Sequence, residues 1–276
     1  MIRRILPILV LAILISACGS ETPSSQNSNN SAAPVASAAN VATSPTANPN
    51  METLLVGSEV LYEPFEFKDE HGQPQGFEIE MMTEIAKAAG MNIQVIDVPR
   101  NTAETTLNSN KYQVFISAMS RSPERLEKLD MGEPYLEYEH ALYVLDTPEN
   151  ANLRTIEDFK GKNIAVHKGS SGNIAKIKEW EANPVLSDSF FLSLKNTSAD
   201  KADATLGDSR VMQYYLTKNP GVKARLIMIR DGKTGISFAV KKGNTTLLNK
   251  LNDGLAKIKA NGTFDALIIK WFGSKE

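Results

Sequence analysis

Strand-like and helix-like patterns alternate along the chain from about residue 53, and this alternation restricts the fold more than any other feature of the sequence. A short apolar strand is predicted at 54–58, a helix at 78–90, and two further strands at 91–98 and 112–119. A strand followed by a helix and another strand forms a βαβ unit, so the sequence predicts an α/β fold with parallel strands. In such sheets, ligands bind at the carboxyl ends of the strands.

The second half of the chain repeats this strand–loop–helix order. A strand at 140–146 opens it, the Gly/Ser loop GSSG follows another strand, and Asp208 lies at the turn after a third. A strand is predicted at 236–243, before amphipathic helices with a turn at Asn261-Gly262. This order predicts two lobes, each a mixed sheet flanked by helices, joined by two crossing strands. The expected ranges are 53–143 with 236–276 for lobe 1, and 144–235 for lobe 2.

The first 18 residues have the pattern of an export signal. Arg3 and Arg4 precede a short apolar run, and Ile15-Ser16-Ala17-Cys18 resembles a bacterial lipoprotein cleavage and lipidation box. Cys18 is the only cysteine of the chain, so we expect it to carry a lipid anchor. The alternative is a plain secretory signal with an incidental cysteine. Residues 19–52 are rich in Ser, Asn, Ala, Pro and Thr, which predicts a flexible linker between the anchor and the folded body.

Charge and histidine spacing exclude two kinds of partner. Without the two signal arginines, 28 basic residues face 32 acidic ones, which gives no reason to expect a nucleic-acid partner. His71, His140 and His167 have no metal-ligand spacing. We therefore predict a protein without a metal or other cofactor.

Arg125 occupies an unusual position. In SRSPERLEK, Ser122 is a good N-cap and Pro123 suits the first helical position, so Arg125 falls in the first turn of a predicted helix. A cation is disfavoured there by the helix dipole. A bound anion would compensate, and a solvated surface arginine is the alternative.

Seven motifs, in order, resemble the bacterial extracellular solute-binding proteins of family 3, which serve polar amino-acid ABC transporters. They are YEPFEFKDEHGQPQGFEIEM, KYQVFISAMSRSPER, EPYLE, IEDFKGKNIAVHKGSSG, ADATLGDS, FAVKKGN and IKANGTFDALIIKWFG. The resemblance covers residues 53–273 and implies a type II periplasmic-binding-protein fold, whose two lobes close over a ligand about a two-strand hinge. It also implies a monomeric receptor that delivers its ligand to an ABC permease.

The resemblance implies how the first lobe would hold an amino acid. Arg125 matches the arginine that binds the ligand's α-carboxylate through both guanidinium nitrogens. Ser120 matches the hydroxyl residue that shares this carboxylate. Ala118 matches the small residue whose backbone faces the α-ammonium.

The resemblance likewise implies roles for residues elsewhere in the motifs. Ser171 matches a second carboxylate donor in the other lobe, and Asp208 matches the acid that accepts the ammonium. Tyr62 matches an aromatic ring that packs on the ligand's side chain. A zwitterion removed from water needs both charges matched, and we expect the two lobes to supply the match only when closed.

The side-chain pocket departs from the family pattern. Arg100 or Asn101 stands where the family has an aromatic residue, and Gln113 replaces an aspartate. Glu59, His167 and Arg100 fall where relatives contact the variable part of the ligand. Glu59 would suit a basic or amide side chain, which we favour, whereas Arg100 would suit an acidic one, and the two could instead pair with each other.

Three function classes fit the sequence. A binding protein without catalysis is favoured, because no nucleophile–base pair is evident. The second is a dehydratase of amino-acid-like substrates on the same scaffold, with Glu59 as a general acid. The third is the ligand-sensing partner of a membrane receptor.

Overall fold

The computed structural model describes residues 42–43 and 49–273 of the chain. The predicted signal peptide, the lipidation site Cys18 and most of the predicted linker lie outside these residues. Within the described part, no helix combines the length and the apolar character needed to cross a membrane.

The described residues form strands and helices in alternation. The strands are β1 Ala42–Thr43, β2 Glu52–Ser58, β3 Leu61–Tyr62, β4 Glu66–Lys68, β5 Pro74–Gln75, β6 Met91–Asp97, β7 Val114–Phe115, β8 Leu129–Met131, β9 Leu136–Tyr138, β10 His140–Leu145, β11 Asn163–His167, β12 Asn183–Ser187, β13 Ala204–Asp208, β14 Ala224–Met228, β15 Thr234–Ile236 and β16 Ala239–Lys241. The helices are α1 Phe77–Ala88, α2 Ala103–Asn108, α3 Pro123–Lys128, α4 Ser171–Glu179, α5 Phe190–Ser198, α6 Ser209–Lys218, α7 Thr245–Ala260 and α8 Thr263–Phe272.

The first large sheet has the strand order β1-β6-β2-β7-β16-β8. Strand β2 lies parallel to both β6 and β7, with Val56 opposite Val95 and Val114, and β16 runs antiparallel to β7 and β8. The apolar side of α1 packs on this sheet and against α7 and α8, burying Phe77 and Ile85. The predicted βαβ unit is confirmed, because β2 and β6 are parallel neighbours with α1 between them in the chain.

The second large sheet has the order β12-β11-β13-β10-β14. Strand β11 is parallel to β12 and β13, whereas β10 is antiparallel to β13 and β14. Phe159, Ile164 and Leu206 are fully buried in its core. Both sheets are therefore mixed and flanked by helices, as predicted.

A two-stranded ribbon connects the sheets. Strands β9 and β15 pair antiparallel, with Leu136 opposite Ile236, and each connects an element of one sheet to an element of the other. The single strand predicted at 236–243 is two strands, since Ile236 belongs to the ribbon and Ala239 pairs with Phe115 and Met131 of the first sheet. Strand β10 lies wholly in the second sheet, so the chain crosses to that sheet before residue 140.

Two further differences concern strand ends. The predicted strand at 112–119 pairs only at Val114–Phe115, because Ala118 has a φ of +42° and its N–H bonds a side chain rather than a strand. Within the predicted linker, Ala42–Thr43 pairs with β6 at the edge of the first sheet, and Glu52 already belongs to β2.

Candidate functional site

A small cavity lies where the carboxyl ends of strands from both sheets meet. Its volume is about 30 Å³, which is room for about one water molecule. The first sheet and the loops that follow its strands contribute Tyr62, Arg100 and Ala118, and Tyr138 comes from the ribbon. The second sheet and its flanking helices contribute His167, Ser170, Asn173, Phe190, Leu206, Gly207 and Asp208.

Asp208 is the acidic side chain of the cavity wall. It ends β13 and caps α6, where its Oδ1 accepts a hydrogen bond of 2.8 Å from the N–H of Arg210. Its Oδ2 is buried and has no hydrogen-bond partner among the described residues. Burial raises the pKa of Asp208 to about 6, because removal from water disfavours the carboxylate more than the cap stabilises it. A cationic group in the cavity would supply the missing partner.

Ala118 presents backbone atoms to the cavity in a conformation that alanine adopts at a cost. Its φ of +42° is supported by Glu78, whose two carboxylate oxygens lie 2.9 and 3.0 Å from its N–H. Glu78 also accepts a hydrogen bond from the hydroxyl of Tyr135. These buried groups direct the carbonyl of Ala118 toward the cavity, where Nη2 of Arg100 donates to it at 2.9 Å.

Arg125 and Ser120 form a pair beside the cavity. Nη1 of Arg125 donates to the hydroxyl of Ser120 at 2.6 Å and to its carbonyl at 3.0 Å. Ser122 caps α3 by accepting from the N–H of Arg125, with Pro123 at the first helical position, as the sequence predicted. Burial and the nearby charge of Arg100 lower the pKa of Arg125 to about 10. Among the described residues, no carboxylate lies within 4 Å of its guanidinium.

Glu59 and His167 contact each other behind the cavity wall. Nε2 of His167 lies 3.2 Å from Oε2 of Glu59, and the other carboxylate oxygen accepts a hydrogen bond of 3.1 Å from the backbone N–H of Arg100. Burial alone would raise the pKa of Glu59, but the adjacent imidazole of His167 and the hydrogen bond from the Arg100 N–H outweigh it and lower that pKa. Glu59 and Arg100 therefore do pair, but through the backbone of Arg100 rather than its guanidinium.

Aromatic side chains form one wall of the cavity. Tyr62 packs edge-on against Phe190, with 5.3 Å between ring centroids, and stacks on Phe65 at 5.7 Å. Burial and the neighbouring Asp208 raise the pKa of Tyr62 well above its usual value and that of Tyr138 to about 12. Both phenols therefore stay neutral and act as hydrogen-bonding, apolar surfaces.

The structure brings together most, but not all, of the residues named from the sequence. Tyr62, Arg100, Ala118, His167 and Asp208 line the cavity. Arg125 and Ser120 lie beside it, and Glu59 lies behind His167.

Ser171, the first residue of α4, is exposed, and its neighbour Ser170 lines the cavity instead. Sequence reasoning also missed Tyr138, Asn173 and Phe190. Two features of the sequence point to them. Tyr138 directly follows the EPYLE motif, and Phe190 directly follows the helix cap Ser189.

The arrangement suits a small ligand that carries both charges. Arg125 and Arg100 are cations, and Asp208 is an anion with a free buried oxygen. Among the described residues, no cluster of His, Cys, Asp or Glu has the geometry to hold a metal ion.

Comparisons with known proteins agree with the family resemblance of the sequence. The family model of the bacterial extracellular solute-binding proteins, family 3, matches residues 54–274. A probable amino-acid ABC transporter-binding protein of Haemophilus influenzae is 29% identical over 223 residues, which cover 80% of this chain and 85% of that protein. The ABC transporter arginine-binding protein 1 of Escherichia coli K12 is 29% identical over 80% of this chain and 91% of its own.

A solved structure has the same fold. An ancestral arginine-binding protein superposes with a TM-score of 0.74 at 31% identity in its glutamine-bound structure and 32% in its arginine-bound structure, covering 80% of this chain and 98% of that one. The predicted type II fold with two sheet-containing lobes is confirmed. Because the family model spans most of the sequence, the chain belongs to the bacterial extracellular solute-binding proteins, family 3.

Proposed function

We propose that this protein is the extracytoplasmic receptor of an amino-acid ABC importer and that it captures a polar L-α-amino acid. The observation that carries the proposal is the buried Oδ2 of Asp208, which lacks a hydrogen-bond partner on one side of the cavity. Arg125 lies beside the cavity and, within the part of the chain that the structure describes, has no carboxylate within 4 Å. Asp208 would accept the α-ammonium, and Arg125 with Ser120 would bind the α-carboxylate. The names of the Haemophilus and E. coli relatives support the same ligand class.

Binding is proposed to close the two lobes about the β9–β15 ribbon, with the second lobe beginning at β10 rather than at residue 144, because β10 lies in the second sheet. Three side-chain contacts that join the two sides of the cavity support this motion. They are Glu59 with His167 at 3.2 Å, Tyr214 with Glu63 at 2.7 Å, and Tyr62 with Phe190 at 5.3 Å between rings. A cavity of about 30 Å³ cannot admit an amino acid unless such contacts open.

We propose that Cys18 is lipidated and holds the protein at a membrane, in the periplasm or at the cell surface, as a monomer. The support is the sequence Ile15-Ser16-Ala17-Cys18 and the apolar run before it. A permease in the membrane would then receive the ligand from the closed form. The predicted linker before residue 42 would supply the reach between the anchor and the permease.

Binding without turnover is the preferred function. Glu59, the candidate general acid of a dehydratase, has a lowered pKa and is engaged by His167 and the Arg100 N–H. A carboxyl group that is ionised at neutral pH is a poor proton donor. A sensory role alongside a membrane receptor would use the same ligand site.

Isothermal calorimetry tests the proposed function. The body from residue 50 onward would be unfolded and refolded to remove carried-over ligand, then titrated with the twenty amino acids, ornithine, citrulline and cystine. We expect at least one ligand with micromolar or tighter affinity, and loss of its binding in Arg125→Ala and Asp208→Ala. Arg154→Ala, which removes an exposed arginine away from the cavity, is the matched control. Absence of any hit would contradict an amino-acid receptor.

A further inference from the structure

Arg100 extends a cationic side chain into the cavity without a carboxylate to neutralise it. Arg100 lines the cavity, and its Nε is buried without a hydrogen-bond partner. Among the residues that the structure describes, no carboxylate lies within 4 Å of the guanidinium. Among residues 42–43 and 49–273, the one hydrogen bond that its guanidinium makes is to the carbonyl of Ala118, at 2.9 Å. A cation that is largely removed from water is costly unless an anion pairs with it.

The surrounding chain fixes this side chain in place. The backbone N–H of Arg100 donates a hydrogen bond of 3.1 Å to Oε1 of Glu59, which fixes the backbone from which the side chain extends. On the other side of the cavity, Gly169 leaves room for it. A Cβ at Gly169 would come within 3.2 Å of Cβ and 3.3 Å of Cδ of Arg100, and within 3.0 Å of His167. The aliphatic part of Arg100 is therefore packed at the junction of the two lobes, and its guanidinium bonds Ala118 of the first lobe.

For a ligand with a neutral or basic side chain, one cation that lines the cavity would have no carboxylate in contact with it. Asp208 and Arg125 match the ammonium and the carboxylate of any α-amino acid. Arg100 is then left without a carboxylate in contact, because Glu59 is engaged by His167 and a backbone N–H, and Glu78 by the N–H of Ala118 and the hydroxyl of Tyr135. A basic ligand would place a further cation next to Arg100, whereas a ligand with an acidic side chain would give Arg100 a carboxylate partner.

We propose that Arg100 is the specificity-determining residue of the site and that it binds an anionic group on the ligand's side chain, which makes the ligand an acidic L-α-amino acid. The inference rests on the proposed function for the ammonium and α-carboxylate. It resolves the choice between Glu59 and Arg100 in favour of Arg100. The remaining lone pair of the Ala118 carbonyl would stay available to the ligand's ammonium.

The decisive comparison is between L-glutamate and L-glutamine, which have nearly the same shape and differ by one charge. Calorimetry on the refolded protein would also include L-aspartate, L-arginine and glutarate, which lacks the α-ammonium. We expect glutamate or aspartate to bind about 10- to 150-fold more tightly than its amide, the range for a hydrogen bond to a charged group. In Arg100→Met the affinity for the acidic ligand should fall by a similar factor, while the affinity for glutamine should be unchanged.

Two further variants separate charge from structure. Arg100→Lys keeps the charge and should keep the preference for the acidic ligand, although more weakly, because lysine cannot bind a carboxylate through two nitrogens. Arg230→Gln alters an exposed arginine outside the cavity and should change nothing. If Arg100→Met lowered the affinities for glutamate and glutamine by the same factor, Arg100 would have only a structural role and the proposal would be overturned.

The remaining outcomes distinguish this inference from the proposed function. If arginine or glutamine binds more tightly than either acidic amino acid, the assignment to Arg100 is wrong and the amino-acid receptor stands. If glutarate binds as tightly as glutamate and depends on Arg100, the anion site stands and the ammonium site at Asp208 fails. If none of these compounds binds, both proposals fail.

Discussion

Nε2 of His167 lies 3.2 Å from Oε2 of Glu59, and this contact joins the last residue of a strand in the second sheet to the loop after β2 in the first. Both residues are buried, with relative exposures of 4% and 8%. Buried charged groups stabilise a fold only when their other polar atoms are satisfied, and the N–H of Arg100 does this for Glu59. Separation of the two lobes would have to break this contact.

Substitution Glu59→Gln tests how much this contact stabilises the fold. The pKa of Glu59 is lowered in the folded protein, so its stabilisation is present above about pH 4.5 and is lost as the pH falls through the lowered value. At pH 7 we expect the variant to lose about 1.5–3 kcal/mol of unfolding free energy. Near pH 3 the difference from the wild type should shrink.

Urea unfolding followed by tryptophan fluorescence at both pH values measures this effect, and Trp180 and Trp271 report on the second and first lobes respectively. Glu179→Gln, an exposed glutamate on α4, is the control. An equal loss at pH 3 and pH 7 would show that the carboxylate charge is not responsible.

Asp208→Asn should separate stability from binding. The folded-state pKa of about 6 lies above the ordinary value of 3.8, so wild-type stability from this group is greatest below pH 3.8 and is lost as the pH rises through 6. At pH 8 the variant should therefore be more stable by up to about 3 kcal/mol, because asparagine still caps α6. It should lose ligand binding, since it cannot pair with an ammonium.

Thermal unfolding at pH 4 and pH 8 measures the stability of Asp208→Asn, and calorimetry measures its affinity for the ligand. In the wild type, affinity should fall about tenfold per pH unit below pH 6. A variant that matched the wild type in stability at pH 8 would mean that the buried carboxylate carries no desolvation cost.

Gly207 keeps the cavity open by lacking a side chain. A Cβ there would lie 2.8 Å from Cζ of Phe190 and closer still to Cε2, so Gly207→Ala must displace that ring. Phe190 also packs on Tyr62, and the displacement would narrow the ligand site. We expect about 1–3 kcal/mol of lost stability from overpacking, together with at least about a tenfold loss of affinity.

Gly221→Ala is the matched control, because a Cβ at Gly221 meets no atom within 4 Å. The same titration and thermal unfolding should leave that variant unchanged. Wild-type affinity in Gly207→Ala would mean that Phe190 does not limit the ligand site.

Local patterns predicted the parts of this protein that depend on neighbours in sequence. The cap at Ser122 and the position of Asp208 at a strand end follow from short-range hydrogen bonding, and parallel strands follow from the βαβ order. That Ser170 lines the cavity while Ser171 is exposed depends on how the chain enters α4, which the residue types of GSSG do not reveal. The contact of His167 with Glu59 joins residues more than a hundred positions apart, so only the packed lobes could reveal it.

Glu66 and Glu78 are fully buried near Ala118. Replacement by glutamine is expected to change the unfolding free energy little at Glu66 and to lower it at Glu78. Burial and the neighbouring Glu78 raise the pKa of Glu66 well above its usual value, which favours its protonated form. Burial raises the pKa of Glu78 as well, but the hydroxyl of Tyr135 and the N–H of Ala118 donate to its carboxylate and oppose that rise. The proton of the two carboxyl groups is therefore assigned to Glu66.

Glu66→Gln replaces a neutral acid by a neutral amide that can still accept from Ser117, as Glu66 does at 2.8 Å. Its stability at pH 7 should be within about 1 kcal/mol of the wild type, and it should lack the decline that the wild type shows as the pH rises through the folded pKa of Glu66. Glu78→Gln should lose about 1.5–3 kcal/mol at pH 7 and also weaken ligand binding, because one neutral amide oxygen accepts more weakly from the Ala118 N–H and the Tyr135 hydroxyl than the carboxylate does. Urea unfolding at pH 5 and pH 8, with calorimetry of both variants, measures this contrast. Equal losses in the two variants would contradict the assignment of the proton to Glu66.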